Sequence, residues 1–352
     1  MALPAIKKKI FFTGATGYIG GSVLWRLLNH SDCSSFTIKA LFRDRTKANR
    51  FQDEFSVESV VGNLSELKKL ETLASEADYI FTTANIVDYS ATLAILKGMK
   101  KHNELTGKRP VLIQTSGTAV LDDDADGMYV NEKVYDDANI EEIEALPLSQ
   151  PHRLVDSTVV AADEEGYART YIIFPSTVYG IAKNRLTESG LQNPYSIQIP
   201  YLIRAALDRG QGGVVGLGKN MWPNVHIDDQ ADLYLRIFDK CRENPDSIPH
   251  GRAGLYLTES GEHILYDVCK RIAETLFSLG LVSSPEVTSF SQEERLKYFG
   301  DGPDFFGTNS RCIASRARSI GWNPKHSTAD LMASIRPEIE EMIRLQTLKY
   351  TG

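Results

Sequence analysis

Thr13-Gly14-Ala15-Thr16-Gly17-Tyr18-Ile19-Gly20 is the stretch that decides the fold. It follows the apolar run Ile10-Phe11-Phe12, which reads as a buried strand. It opens a segment with apolar residues at Ile19, Val23, Leu24, Leu27 and Leu28, which is helical spacing. A Gly-x-x-Gly-x-x-Gly says little alone. Between a strand and a helix it predicts a cradle for a pyrophosphate. Gly14 permits the tight turn, Gly17 lets a diphosphate approach the backbone, and Gly20 lets the helix pack on the sheet. The free amides and partial positive charge of the helix start would favour the anion.

Working outward, short apolar runs alternate with helical patterns. Strands are predicted at 36–42, 57–61, 79–83, 110–115 and 170–174, with helices at 45–55, 64–75, 90–105 and 154–165. Strict alternation with apolar strands predicts an α/β fold, a doubly wound parallel sheet of Rossmann type. Past Gly180 the alternation weakens, and beyond Glu262 helices dominate. We therefore expect a dinucleotide-binding domain from 1–180, completed by 224–257. A smaller, mostly helical substrate lobe is expected from 181–223 and 258–352. The stretch Leu121 to Gln150 breaks the rhythm with Asp122, Asp123, Asp124, Asp126, Asp136, Asp137, Glu141, Glu142 and Glu144. It reads as a lid or a solvated insertion, and its charge favours the insertion.

Composition narrows the function classes. Hydrophobic residues at 42% and charged residues at 24% over 352 residues describe a globular chain rather than a disordered or disulfide-stapled one. A net charge of −7 with no long basic run disfavours nucleic acid and anionic membranes as partners. Cys33, Cys241, Cys269 and Cys312 form no C-x-x-C pair, so reduced, mostly buried thiols are expected and no zinc site. No His/Cys/Asp/Glu cluster has metal spacing. His226 and Asp229 come nearest and read as a helix start, with His226 tying the two lobes together. Without a signal-peptide core or an eighteen-residue apolar run, the expected location is the cytoplasm.

Together these motifs resemble the short-chain dehydrogenase/reductase superfamily, in its extended or atypical branch with the nucleotide-sugar epimerases and dehydratases. Thr13 to Gly20 is similar to that family's first turn. Phe174-Pro-Ser-Thr-Val-Tyr-Gly180 looks like the segment beside the nicotinamide. Val225-His-Ile-Asp-Asp-Gln-Ala-Asp232 resembles its His-x-x-Asp stretch, and Arg318-Ser-Ile-Gly-Trp-Asn-Pro324 is similar to its C-terminal end. The resemblance implies a coenzyme held by Thr13, Gly14, Thr16, Gly17, Tyr18 and Ile19. Asn63 and Leu64 would lie at the adenine, Thr83 and Ala84 at the ribose, and Thr115, Pro175, Ser176 and Thr177 toward the nicotinamide. At the end of the second strand, Arg43 would pair with the 2′-phosphate of NADP. Asp44, one residue on, would instead favour the ribose hydroxyl of NAD. We read NADP, with NAD possible.

The family's Ser and Tyr-x-x-x-Lys are absent where they are due. The Ser position falls on Gly117, flanked by Ser116 and Thr118. The Tyr and Lys positions fall near His152 and Asp156. Tyr129-Val-Asn-Glu-Lys133 has the pattern but lies only 13 residues after Ser116, inside the acidic connection. His152 is the expected proton donor or acceptor, with Asp156 orienting it from the next helical turn. Ser116 or Thr118 would relay the proton, Tyr179 would enter the substrate cleft, and Arg153 would contact an anion or solvent. Tyr179, Tyr195, Trp222, Phe305 and Phe306 hint at an apolar or aromatic substrate. The expected function is an NADPH-dependent reductase of a carbonyl or activated double bond in a small molecule. The rivals are a non-redox isomerase or lyase and a non-catalytic redox sensor. Monomer and homodimer both stay open.

Overall fold

The computed structural model describes residues 7–244, 246–300 and 305–345. In chain order its strands are β1 (Lys8–Thr13), β2 (Phe36–Phe42), β3 (Glu58–Val61), β4 (Tyr79–Thr82), β5 (Val111–Thr115), β6 (Tyr135–Asp136) and β7 (Arg169–Phe174). They continue as β8 (Thr177–Tyr179), β9 (Gly212–Val214), β10 (Met221–His226), β11 (Leu255–Leu257), β12 (Glu262–Ile264), β13 (Val287–Ser289) and β14 (Cys312–Ile313). The main sheet has seven strands in the order β11-β7-β5-β4-β1-β2-β3. Every pair in it is parallel.

This is the doubly wound sheet the alternation predicts. β4 and β5 are buried along their whole length, as strands covered by helices on both faces must be. The chain winds outward from β1 to β2 and β3, then returns to β4 on the other side. Between β1 and β4 the winding reverses, which opens a crevice at the carboxyl ends of the strands. There the Thr83 amide and hydroxyl both donate to the Thr13 carbonyl, at 3.2 and 2.6 Å, and stitch the two strand ends together.

A second apolar core gathers the helices Gln198–Arg209, Leu265–Ser278 and Thr328–Arg344 with Tyr179, Trp222 and Phe290. Small sheets β12-β10-β8 and β13-β9 border it. Two segments assigned from sequence to the substrate lobe pack elsewhere. Leu186 and Leu191, and the run from Cys312 to Trp322, bury their side chains in the core of the main sheet. Among the described residues, no helix is long and apolar enough to cross a membrane.

The acidic connection is more than a wet insertion, which corrects the expectation in part: Asp124, Asp126 and Glu141 are exposed, but other carboxylates in it are engaged. β6 pairs in parallel with β14. Asp123 accepts from the Asn309 amide and side chain at 2.8 and 2.9 Å, and from Ala125 and Asn131. Asp137 is fully buried and accepts from the Arg316 and Leu257 amides at 2.7 and 3.0 Å. Carboxylates of this connection bind the C-terminal segment to the body of the main sheet.

Candidate active site

The turn after β1 has the geometry its glycines demand. Gly14 has φ of +85°, a conformation that strains any L side chain, and a Cβ there would collide with Thr83. A Cβ at Gly20 would overlap the Gly14 carbonyl, so the helix Tyr18–Leu28 sits directly on the turn. That helix starts at Gly17 with no side-chain cap and no acidic residue in its first turn. Its free amides therefore point at whatever occupies the crevice, and the turn fits an anion such as a pyrophosphate. Thr16 and Ile19 are part-exposed beside it. Thr13 is buried and Tyr18 spends its hydroxyl on the Gly180 carbonyl at 2.5 Å, so both could serve a ligand through backbone alone.

At the end of β2, Asp44 caps the helix Arg45–Phe55 by accepting from the Lys47 amide at 2.9 Å. Arg43 is exposed, and among the described residues it makes no hydrogen bond or ion pair. Asn63 turns its carbonyl onto the Ser65 amide and hydroxyl, which leaves only its amide NH2 for a ligand; Leu64 beside it is part-exposed. Thr83 and Ala84 are part-exposed at the crevice. Thr115 is buried and its hydroxyl meets Tyr234 at 2.7 Å, so its side chain is withdrawn from any coenzyme.

The ends of β5 and β7 are sewn together by Ser116 N–H to Ile173 and Thr118 N–H to Pro175, at 2.8 and 3.0 Å. Around this seam stand buried polar atoms without protein partners: Thr118 Oγ1, Ser176 Oγ, Thr177 Oγ1, His152 Nδ1 and Asp156 Oδ1. Such atoms are costly unless a ligand or water meets them. They are the cluster the sequence placed at the reacting end of the crevice.

Inside it the expected pairing changes. No hydrogen bond or ion pair joins the His152 ring to Asp156. Instead Ser116 Oγ donates to Asp156 Oδ2 at 2.8 Å. His152 is the N-cap of the helix Arg153–Glu164, in a left-handed conformation with φ of +67°. That turns its ring over the backbone at Gly117, where an added Cβ would stand 3.2 Å from Nε2. Burial lowers the imidazole to about 4, so it is neutral at pH 7 rather than titrating there. Burial raises Asp156 to about 7, against the pull of the Ser116 hydroxyl and the Arg153 charge. The group poised near neutrality is thus Asp156. Arg153 is itself buried and donates to the Glu144 carbonyl at 3.1 Å.

Other candidates fall away from this cluster. Tyr179 is fully buried and donates to the Ser327 carbonyl at 2.8 Å, so its hydroxyl does not enter a cleft. Lys133 pairs with Glu142, and Tyr129 is exposed. Of the aromatic set, Tyr195, Trp222 and Phe306 are core residues of the second lobe, and only Phe305 is part-exposed. The hint of an aromatic substrate goes with them. His226 caps the helix Ile227–Glu243 and stacks on His326 with ring centres 3.8 Å apart. Sequence reasoning missed Glu338, a buried carboxylate on the Gly180 amide, because its partner lies 158 residues away.

Comparison with known proteins bears on the fold. A model of the NmrA-like family matches residues 6–100. Oxidase ucsJ of Acremonium sp. is 29% identical over 90% of this chain and 93% of its own. An uncharacterized protein of Schizosaccharomyces pombe is 28% identical over 91% of this chain and 96% of its own. Among solved structures, a UDP-glucose 4-epimerase of Thermotoga maritima with UDP-glucose superposes with TM-score 0.64 at 13% identity, over 95% of this chain and 99% of that one. A dTDP-glucose 4,6-dehydratase of Bacillus anthracis in complex with NAD gives 0.63 at 17%, over 97% and 100%. The chain thus has a Rossmann fold similar to that of these two structures, and its residues 6–100 match the NmrA-like family model.

Proposed function

We propose that the protein is an NADPH-dependent reductase of a carbonyl or activated double bond in a small molecule. The observation that carries this reading is the Ser116–Asp156 pair beside a neutral His152, with unspent buried polar atoms, at the carboxyl ends of β5 and β7. When bound, the coenzyme would supply the hydride. In its protonated form, with the proton on Oδ2 and the hydrogen bond to Ser116 reversed, Asp156 passes that proton to Ser116 Oγ as Ser116 gives its own to the substrate oxygen. The neutral His152 ring donates its N–H to the same developing charge. Thr118, Ser176 and Thr177 hold the reacting groups in place.

NADPH is preferred because the Asp44 carboxylate is engaged as a helix cap while the neighbouring Arg43 is exposed and has no partner among the described residues. A redox reaction is favoured over a lyase or isomerase by the Acremonium relative, which is named an oxidase. A small-molecule substrate is in keeping with the UDP-glucose bound by the Thermotoga epimerase.

The test is NADPH fluorescence during turnover of a carbonyl panel by wild type and Asp156→Asn. We expect net NADPH consumption that declines as pH rises through about 7, where Asp156 gives up its proton. Asp156→Asn should lose roughly 100-fold or more, the usual worth of a general acid. Substrate conversion without NADPH loss would establish the isomerase or lyase instead. Tight binding without turnover would establish the sensor.

A further inference from the structure

Gly180 ends the segment that follows β7, and three separate elements grip it. Its carbonyl accepts from the Tyr18 hydroxyl at 2.5 Å. Its amide donates to Glu338 Oε1 at 3.0 Å, and Ser334 Oγ donates to the same oxygen at 3.1 Å. Its φ is +91°, and a Cβ there would run into the His226 imidazole, so no other residue fits the site. Glu338 is 1% exposed, and its second oxygen, Oε2, is buried without a partner. Tyr18 is the first residue of the helix that follows the dinucleotide turn. A hydrogen-bonded path therefore runs from the C-terminal helix Thr328–Arg344, through Gly180, to the coenzyme turn.

We propose that Glu338 is a positioning residue for the coenzyme, holding Tyr18 and the start of its helix in place through Gly180. The proposal rests on the coenzyme reading above. A path of this kind would let the second lobe sense whether the turn is filled, since whatever steadies one end steadies the other.

The charge at this junction gives the path a signature. Burial raises Glu338 to about 7, against the Gly180 and Ser334 hydrogen bonds. The titratable groups gathered round the junction are Tyr18, Tyr179, His226, His326, Asp228, Asp229 and Asp330. Burial and the neighbouring His326 hold His226 below its usual range, so it adds no positive charge above neutrality. Ionising Glu338 then adds a buried negative charge behind a turn that receives an anion. Coenzyme binding should weaken as pH rises through about 7.

The experiment is calorimetric binding of NADPH to the full-length protein at pH 6.5 and 8.5, for wild type, Glu338→Gln, Glu338→Ala and Tyr18→Phe. Wild type should weaken about three- to tenfold between the two pH values. Glu338→Gln keeps an acceptor for Gly180 but carries no charge; it should match wild type at pH 6.5 and fall clearly less than wild type by pH 8.5. Glu338→Ala and Tyr18→Phe should each lose about three- to tenfold at pH 6.5, the worth of one hydrogen bond in the path. The proposal fails if Glu338→Gln keeps the wild-type pH slope, or if Tyr18→Phe binds as wild type does. Should Glu338→Ala not fold, those two variants decide. If wild type binds neither NADPH nor NADH, the coenzyme reading itself is overturned, an outcome distinct from wild type and variants binding alike.

Discussion

Gly117 shows how little room the reacting end of the crevice leaves. An added Cβ would stand 3.2 Å from His152 Nε2, tighter than nearly all real contacts, and the ring belongs to a residue already at φ of +67°. Gly117→Ala should push the imidazole off its place and cut turnover about tenfold, with the melting temperature changed little. A variant with full activity would show that the ring does not need this seat. Arg43→Ala tests the other end of the crevice. It should weaken NADPH by roughly tenfold or more and NADH hardly at all, because a free guanidinium recognises a 2′-phosphate that NADH lacks. Equal weakening of both coenzymes, measured by calorimetry, would remove the NADP assignment. The turn itself is legible in the sequence because its constraints are local: Gly14 and Gly20 are packed within one strand–turn–helix. The His152–Asp156 pairing was misread for a related reason. Helical spacing does put them one turn apart, but His152 caps the helix in a left-handed conformation, and Asp156 finds Ser116 on another element.

Elements were legible where their periodicity was strong, and opaque where their partners lay far along the chain. All five predicted strands from 36–42 to 170–174 exist, within one residue at each end. Nothing within 121–150 could announce that its carboxylates meet Asn309 and Arg316, some 180 residues later. A run of acids looks wet until its donors are known. Two neighbours in that run should behave oppositely. Asp123 accepts four hydrogen bonds, two of them from Asn309, and Asp123→Ala should cost about 2–3 kcal/mol of stability. Asp124 is exposed and is met only by the Tyr129 hydroxyl at 3.4 Å, so Asp124→Ala should fall within about 0.5 kcal/mol of wild type. Urea midpoints measured side by side decide it. Equal losses would mean the connection is held by its backbone and not by these carboxylates.

Across the whole molecule, burial sets two families of groups against each other. Asp137, Asp156 and Glu338 are raised to about 7, and His152 and His263 are lowered to about 4. A carboxyl raised in the folded state gives stability that is whole below its unfolded value near 4 and is lost as pH climbs through about 7. A buried imidazole lowered in the folded state gives stability that is whole above about 6.5 and is lost as pH falls through about 4. Between about pH 4 and 6.5 the two families pull in opposite directions, so wild-type stability should vary gently there. Removing one member exposes the slope it was contributing. Glu338→Gln deletes a loss that wild type suffers at high pH, so its urea midpoint relative to wild type should rise between pH 5 and pH 8, by the equivalent of about 2–3 kcal/mol. His263→Gln deletes a loss suffered in acid, so its relative midpoint should rise between pH 7 and pH 4.5 by a similar amount. The opposite signs matter more than the sizes, because a generic packing defect would shift a variant by the same amount at every pH. A constant offset in both variants would mean that these side chains ionise alike in the folded and unfolded chain, and that burial does not govern them.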